Sequence, residues 1–290
     1  MKKNYIFYAD RIVSVKHPYS EDDFVAGHSK DIKEADVRKY LSAYYAICSN
    51  NRLLARLVDF IASCSPGKPV NIIDIGVFMG SFSNAISIVC RHLGVRSVIN
   101  AFEANPRLIS SIIDNLRLYE SEVFLHWSGV GGFTGTMELV VSPGAAIGGS
   151  LANTDCRRYG DYFSCQVDVT SLKSILQSQT SAPSLVKIDI EGFEVSAFSS
   201  IANDPENLSN IFIVEYSPGQ AAAEVIPGLP YSQFLLRTFN IYNIGNWGWF
   251  EAAIPIRTLD ELAQIKLGNG GSNTDIVLIP KEFSLDLSFI

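Results

Sequence analysis

The chain has 290 residues, 47% hydrophobic and only 18% charged, the composition of a globular protein with a sizeable core. Its 30 acidic and 23 basic residues leave a net charge of -7, which excludes the electrostatic footprint of a nucleic-acid or anionic-membrane binder and favours a small or neutral substrate. The cysteines number 5, an odd count with no C-x-x-C spacing, and no run reaches the ~18 apolar residues of a membrane helix, so a reducing, cytoplasmic setting is expected.

The N-terminal apolar stretch is interrupted by Asp10 and Arg11, too early for a signal peptide. Residues 1–30 are mixed, with Tyr5, Phe7 and Tyr8 alternating loosely before a turn at His17-Pro18. Over residues 31–63 the apolar positions recur at helical spacing, and Asn50-Asn51 divides them into two helices that end at the breaker of residues 65–69. This gives an N-terminal, mainly helical extension over 1–66 ahead of a main domain over 67–290.

The main domain is organised around residues 70–93. Val70, Ile72, Ile73 and Ile75 form a short β-branched run that suits a strand buried on both faces of a parallel sheet. Gly76 and Gly80 break it, and Ser81 is placed to cap a helix with Phe82, Ala85, Ile86, Val89, Cys90 and Leu93 on one stripe and Gly94 as its stop. Neither the dinucleotide G-x-G-x-x-G nor the phosphate-gripping G-x-x-x-x-G-K-[ST] is present, so no pyrophosphate cradle is expected here. Asp74 at the strand end either organises the turn or pairs with a cation such as an amino-acid ammonium group. Residues 98–102 read as the next strand, ending in Glu103, with Asn105-Pro106 as a cap and first helical position. An acidic residue ~20 positions beyond the glycine turn commonly accepts hydrogen bonds from ribose hydroxyls. A nucleoside ligand with ribose and no pyrophosphate follows, and S-adenosylmethionine fits.

Residues 122–127 are expected as the third parallel strand, followed by Ser128, Gly129, Val130, Gly131 and Gly132. Those glycines begin a near miss to a dinucleotide turn, but residues 136–141 alternate like a strand, so the motif lacks the helix it needs. A β-rich insertion through residue 169 precedes a short helix opened by Thr170 or Ser171. Residues 184–192 then give the fourth parallel strand with its loop, and alternation puts Lys187, Asp189 and Glu191 on one face. Three charges in so apolar a run are costly unless paired or used. A buried Lys–Asp pair with a helix-start Glu, and a functional cluster, both remain open. Strands over 211–215, 240–244 and 274–278 and a helix over 231–239 complete the domain, with Trp247, Trp249, Phe250 and the glycine-rich 268–272 between the last two strands. Those aromatics either stack on an acceptor or fill a gap beneath a long loop.

Taken in order, Asp74-Ile-Gly76 with Gly80, Ala101-Phe-Glu103 with Asn105-Pro106, Gly149-Ser-Leu151 and Lys187-Ile-Asp-Ile-Glu-Gly192 resemble the FkbM family of S-adenosylmethionine-dependent methyltransferases over roughly residues 70–280. The chain departs from the family pattern at Phe78, where Asn is frequent, at Ala104, where Pro is common, and at Gly132, where an acidic residue is usual. The resemblance implies an α/β fold, a doubly wound, mostly parallel seven-stranded Rossmann-like sheet, and methyl transfer to a hydroxyl, often of a sugar or secondary metabolite. It implies cofactor contacts from Asp74, Gly76, Phe78, Gly80, Ser81, Glu103, Ala104, Asn105, Ser128, Gly129, Val130 and Asp189. The expected catalytic carboxylates are Asp189, foremost, with Glu191 as the alternative base and Glu215. A divalent metal is not part of the expectation, although Asp189, Glu191 and Glu215 offer the hard oxygens one would use. The expected partner is a small-molecule or glycan acceptor, and self-association into a homo-oligomer stays open. A non-catalytic cofactor-binding scaffold subunit and a nicotinamide-dependent oxidoreductase are the competing readings, the latter opposed by the missing G-x-G-x-x-G.

Overall fold

The computed structural model describes residues 3–8, 11–16, 52–78, 80–109, 112–113, 122–141, 149–150, 163–179, 183–245, 253–265 and 273–287. Loose alternation near the N-terminus resolves into a hairpin of β1 (Lys3–Tyr8) and β2 (Arg11–Lys16). Residues 31–51, with the expected first helix and its Asn50-Asn51 break, lie outside the described residues. The expected second helix is α1 (Arg52–Cys64), whose Leu53, Leu57, Val58 and Ile61 are buried on one stripe against the main sheet.

The β-branched run becomes β3 (Val70–Ile75), and the apolar stripe after it becomes α2 (Ser81–His92). Next come β4 (Ser97–Glu103) and β5 (Glu122–Trp127), both parallel to β3. Between them Asn105 caps a single 3-10 turn (Pro106–Leu108) by accepting from the Arg107 N–H, and the rest of the expected helix lies largely outside the described residues.

After β5 the chain builds a second sheet from β6 (Gly129–Gly131), β7 (Gly135–Val141), β8 (Gly149–Ser150) and β9 (Phe163–Ser171). Ser171 then caps α3 (Leu172–Gln177) through the Ser174 N–H. Strand β10 (Leu185–Ile188) follows, then α4 (Glu194–Ser199), α5 (Pro205–Leu208) and β11 (Ile211–Tyr216). A short β12 (Glu224–Ile226) and β13 (Leu229–Pro230) pair, α6 (Tyr231–Thr238) returns the chain to β14 (Phe239–Asn243), and β15 (Ile254–Ile256), α7 (Leu259–Ala263) and β16 (Thr274–Pro280) close it.

The main sheet has the order β15-β14-β16-β11-β10-β3-β4-β5, with β16 antiparallel to β11 and β14. It is eight-stranded where seven strands were expected, because residues 254–256 add an antiparallel edge strand beside β14. A three-residue strand carries too little alternation to be read from sequence. One face packs α1 and α2 over Ile72, Ile99 and Leu125, and the other packs α3, α4 and α6 over Ile73, Val186 and Val214. The chain winds outward through β3, β4 and β5 and then returns to the other side of β3 as β10, so the strand order reverses between β3 and β10. Ligands of such sheets sit outside the carboxyl ends of the strands at that reversal.

Gly131 in β6 and Gly132 just after it serve packing. A Cβ on Gly131 would lie 2.6 Å from the Phe193 ring, and one on Gly132 would lie 2.6 Å from the Ser196 carbonyl oxygen, so glycine lets the start of α4 approach β6 closely. No helix among the described residues is long and apolar enough to cross a membrane.

Candidate functional site at the reversal of strand order

The turn after β3 is held from three sides. Asp74 is fully buried, and its Oδ2 accepts the Ser83 hydroxyl at 2.6 Å, which ties the strand end to the first turn of α2. Burial pushes the Asp74 carboxyl up, while Lys187 and Ser83 pull it down. Gly76 has φ of +78°, and a Cβ there would fall 1.7 Å from the Asp189 carbonyl oxygen, so only glycine lets β3 and the loop after β10 touch. Phe78 is a non-glycine residue at φ of +53°, a conformation that Asn tolerates and an aromatic residue adopts only at a cost. What holds it is Glu103, whose Oε2 accepts the Phe78 N–H at 2.9 Å and whose Oε1 accepts the Asn105 N–H at 2.7 Å. The structure therefore places Phe78, Glu103 and Asn105 in one cluster. Ala104, between the last two, accepts the Trp127 indole N–H at 2.9 Å.

Ser81 does not cap α2 as its sequence position suggests. The cap is Gly80 at φ of +79°, with no side-chain bond, and Ser81 is the first helical residue. Left-handed backbone at Gly80 moves the helix start one residue earlier than a serine cap would give. Ser128 turns its hydroxyl toward the insertion sheet, with Gly129 O at 2.9 Å and Asp168 O at 3.1 Å, while Gly129 and Val130 run as strand β6.

Across the reversal, Lys187 is buried, and its Nζ donates to Asp189 Oδ2 at 3.0 Å and to Gly76 O at 3.2 Å. Burial pulls the Lys187 ammonium down, but the Asp189 and Asp74 carboxylates more than offset this and hold it above its ordinary value. The buried Lys–Asp pair anticipated from alternation is thus present, and it also grips the turn after β3. Glu191 lies in an exposed turn at φ of +53°, followed by Gly192 at φ of +100°. Although the residue is exposed, partial burial of its carboxyl, and then the charges of Asp189 and Glu194, push that carboxyl up to about 7.

The acid at the start of α4 is Glu194, which sequence reasoning missed. Its Oε1 accepts the Ile190 and Gly192 N–H groups at 3.0 and 3.3 Å, and its Oε2 accepts from Gln220 at 2.8 Å. An acidic residue just beyond a glycine turn was the available signal. Glu215, at the end of β11, accepts from the Asn273 amide and is pushed far up by burial and by Asp189 and Glu191. Among the described residues no group of three or more His, Cys, Asp or Glu side chains is placed to hold a metal ion, so the convergence of Asp189, Glu191 and Glu215 as ligands is not seen. His126, read as a strand residue with a local partner, meets Asn100 Oδ1 at 3.2 Å. Trp247, Trp249, Phe250, residues 268–272 and Leu151 lie outside the described residues.

Burial pushes the Glu103 carboxyl up to about 7 from its ordinary 4.5, against the lowering pull of the Asn105 and Phe78 N–H groups. Glu103 therefore binds its proton more tightly in the folded state. Its contribution to stability is complete below the ordinary value and is lost as the pH rises through about 7. Urea midpoints at about pH 5 and about pH 8 test this: the wild type should lose more stability between them than Glu103→Gln. Equal losses would show that Glu103 is not the titrating group.

A family model described as the Methyltransferase FkbM domain matches residues 74–238. Among solved structures, the chain is similar to methyltransferase FkbM from Methylobacillus flagellatus KT, with 14% identity and a TM-score of 0.41 over 89% of this chain and 58% of that one. It is also similar to a Listeria monocytogenes structure grouped with the class I S-adenosylmethionine-dependent methyltransferases, with 10% identity and a TM-score of 0.40 over 82% of this chain and 61% of that one. A third likeness is to precorrin-6y C5,15-methyltransferase from Geobacter metallireducens GS-15, with 12% identity and a TM-score of 0.36 over 90% of this chain and 97% of that one. The chain thus spans about three-fifths of the length of the first two structures. No curated protein matches it.

Proposed function

The chain belongs to the Methyltransferase FkbM domain family, and on that premise we propose that it is an S-adenosylmethionine-dependent O-methyltransferase acting on a hydroxyl of a sugar, a glycan or a secondary metabolite. The observation that carries the reading is the contact between the turn after β3 and the loop after β10, made by Gly76 against Asp189 and by the Lys187 bonds across it. It sets a ligand-facing glycine turn beside a loop bearing Glu191. The chain's own groups suit the cofactor: Glu103 stands at the end of β4 for a ribose, and Asp74 Oδ1, Ser81 Oγ and the Asn84 amide are buried polar atoms without partners at the start of α2.

When bound, the cofactor supplies a methyl group on a positively charged sulfur that departs as a neutral thioether. The chain's task is then to orient an acceptor oxygen in line and to take its proton. Asp189 is engaged by Lys187, so it positions the loop, and the proton passes to Glu191, whose affinity for it is matched to neutral pH. Glu215, kept protonated by burial and neighbouring carboxylates, is a donor that can orient the same hydroxyl.

Calorimetry with S-adenosylhomocysteine and NAD tests the cofactor. Binding of the former and none of the latter is expected, and Glu103→Ala should weaken S-adenosylhomocysteine by ~1–3 kcal/mol, the scale of lost hydrogen bonds to a charged group. NAD binding in its place would overturn the reading, and unchanged affinity in the variant would remove Glu103 from the cofactor site.

A further inference from the structure

The turn that presents Glu191 is held by Glu194, and Glu194 is itself held. The residue is 1% exposed, and while its Oε1 accepts the Ile190 and Gly192 N–H groups, its Oε2 accepts the Gln220 amide at 2.8 Å. The two backbone donors belong to the same loop after β10. The third donor comes from another strand connection, the 3-10 turn Pro218–Gln220 that follows β11.

Gln220 is set up for this one contact. Its N–H bonds to the Ser217 carbonyl and its own carbonyl accepts the Ala223 N–H, so its backbone is fixed in a tight turn. Its amide lies against the turn bearing Glu191, where a Cβ on Gly192 would stand 3.6 Å from Nε2. Its Oε1, by contrast, is buried with no hydrogen-bond partner among the described residues. Buried polar atoms are overwhelmingly paired, and a residue serving packing alone would carry no such atom. The glutamine satisfies Glu194 and leaves its own oxygen unsatisfied.

Nearby tyrosines do not share the task. The rings of Tyr216 and Tyr231 lie 6.2 Å apart, and neither hydroxyl has a partner among the described residues, although the charge of Glu194 acts on Tyr231. A carboxylate that holds two backbone N–H groups through one oxygen stays aligned with them only while its other oxygen is fixed. Glu191 lies between those N–H groups at φ of +53°, so rotation of Glu194 would release the strained residue.

We propose that Gln220 is a positioning residue for methyl transfer: it fixes the Glu194 carboxylate, which fixes the backbone on either side of Glu191, so that a side chain from beyond β11 sets where the base stands. This rests on the reading above of Glu191 as the base. It also ties Glu191 to the strand end that carries Glu215, which keeps the two acceptor-side carboxyls in one arrangement.

Amide hydrogen exchange, read by NMR on the ligand-free protein, tests the geometry without an acceptor. Gln220→Met keeps the side-chain length and removes the donor. In it the Ile190 and Gly192 amides should exchange roughly tenfold faster or more, while the amides of β10 keep their wild-type protection. Gln220→Glu sets a second carboxylate against the first and should act alike. Adding Glu194→Gln should restore protection, because the exchanged pair again places an amide against a carboxylate and leaves an oxygen for the two N–H groups. Tyr231→Phe should leave both amides unchanged. With methyl-labelled cofactor and the panel of sugars and hydroxylated metabolites, Gln220→Met should slow single turnover roughly tenfold to a hundredfold without changing S-adenosylhomocysteine affinity. Wild-type exchange at Ile190 and Gly192 in Gln220→Met would overturn the proposal. So would wild-type turnover in that variant, or an exchanged pair no better protected than Gln220→Glu. A Glu191→Gln variant as active as the wild type would instead overturn the reading of Glu191 as the base.

Discussion

Glu191→Gln lowers methyl transfer in a single turnover by roughly 10²–10⁴-fold, the range for removing a positioned general base, while S-adenosylhomocysteine binding is retained. The argument starts from the backbone. Glu191 holds φ of +53°, and such strain in a non-glycine residue persists only when the surroundings impose it. The imposing contacts are the N–H groups on either side, of Ile190 and Gly192, both bound by Glu194. They present Glu191 outward in an exposed turn beside the reversal, reachable by an acceptor, whereas Asp189 is committed to Lys187. Because the carboxyl is pushed up to about 7, only its ionised form can accept a proton, and the rate should rise with pH through that value. The variant should lose this limb of the profile. Methyl-labelled cofactor with a panel of sugars and hydroxylated metabolites reads both effects. Wild-type turnover in the variant, or a surviving limb, would return the role to Asp189.

Lys187→Met destabilises the protein by ~3–5 kcal/mol, the usual cost of stripping one partner from a buried ion pair. Lys187 and Asp189 side chains are 8% and 15% exposed, so solvent screens the pair little. Without the ammonium, Asp74 and Asp189 lose their shared counter-charge and the Gly76 carbonyl loses its side-chain donor. Adding Asp189→Asn to Lys187→Met should recover part of the loss, because it removes one of the stranded charges. Denaturant unfolding of the two variants decides, and a double variant less stable than the single one would show that repulsion is not what Lys187 relieves.

Much of the scaffold is legible in short stretches of the sequence. β3, α2 and β4 follow from β-branched runs, a 3.6-residue stripe and glycine stops, all of which are local signals. The same local logic identified the insertion as strands and placed Thr170 or Ser171 at the start of α3, where the structure has Ser171 as the cap. It failed where a signal was short or shared. The three residues of β15 offered no period, and Ser81 looked like a cap because a serine before an apolar stripe usually is one, although Gly80 in a left-handed conformation fills that position. Glu194 was overlooked beside Glu191 because two acids on either side of one glycine are equivalent in sequence, and only the direction of the turn distinguishes the one that binds the turn's N–H groups from the one that faces outward.

By itself, then, the sequence determined the order of the elements and the chemical kinds of residue that stand at the strand ends, because hydrophobic period, turn glycines and caps act within a few residues. The tertiary structure decided what those residues touch. Lys187 and Gly76 are 111 residues apart yet bonded at 3.2 Å, and Phe78 is fixed by a carboxylate 25 residues away. Whether Asp189 is a free base or half of an ion pair, and whether Glu103 holds the backbone of the turn after β3, depends on β10 and β4 lying on either side of β3. That placement comes from burying both faces of one sheet, an effect spread over the whole core and carried by no single stretch of chain.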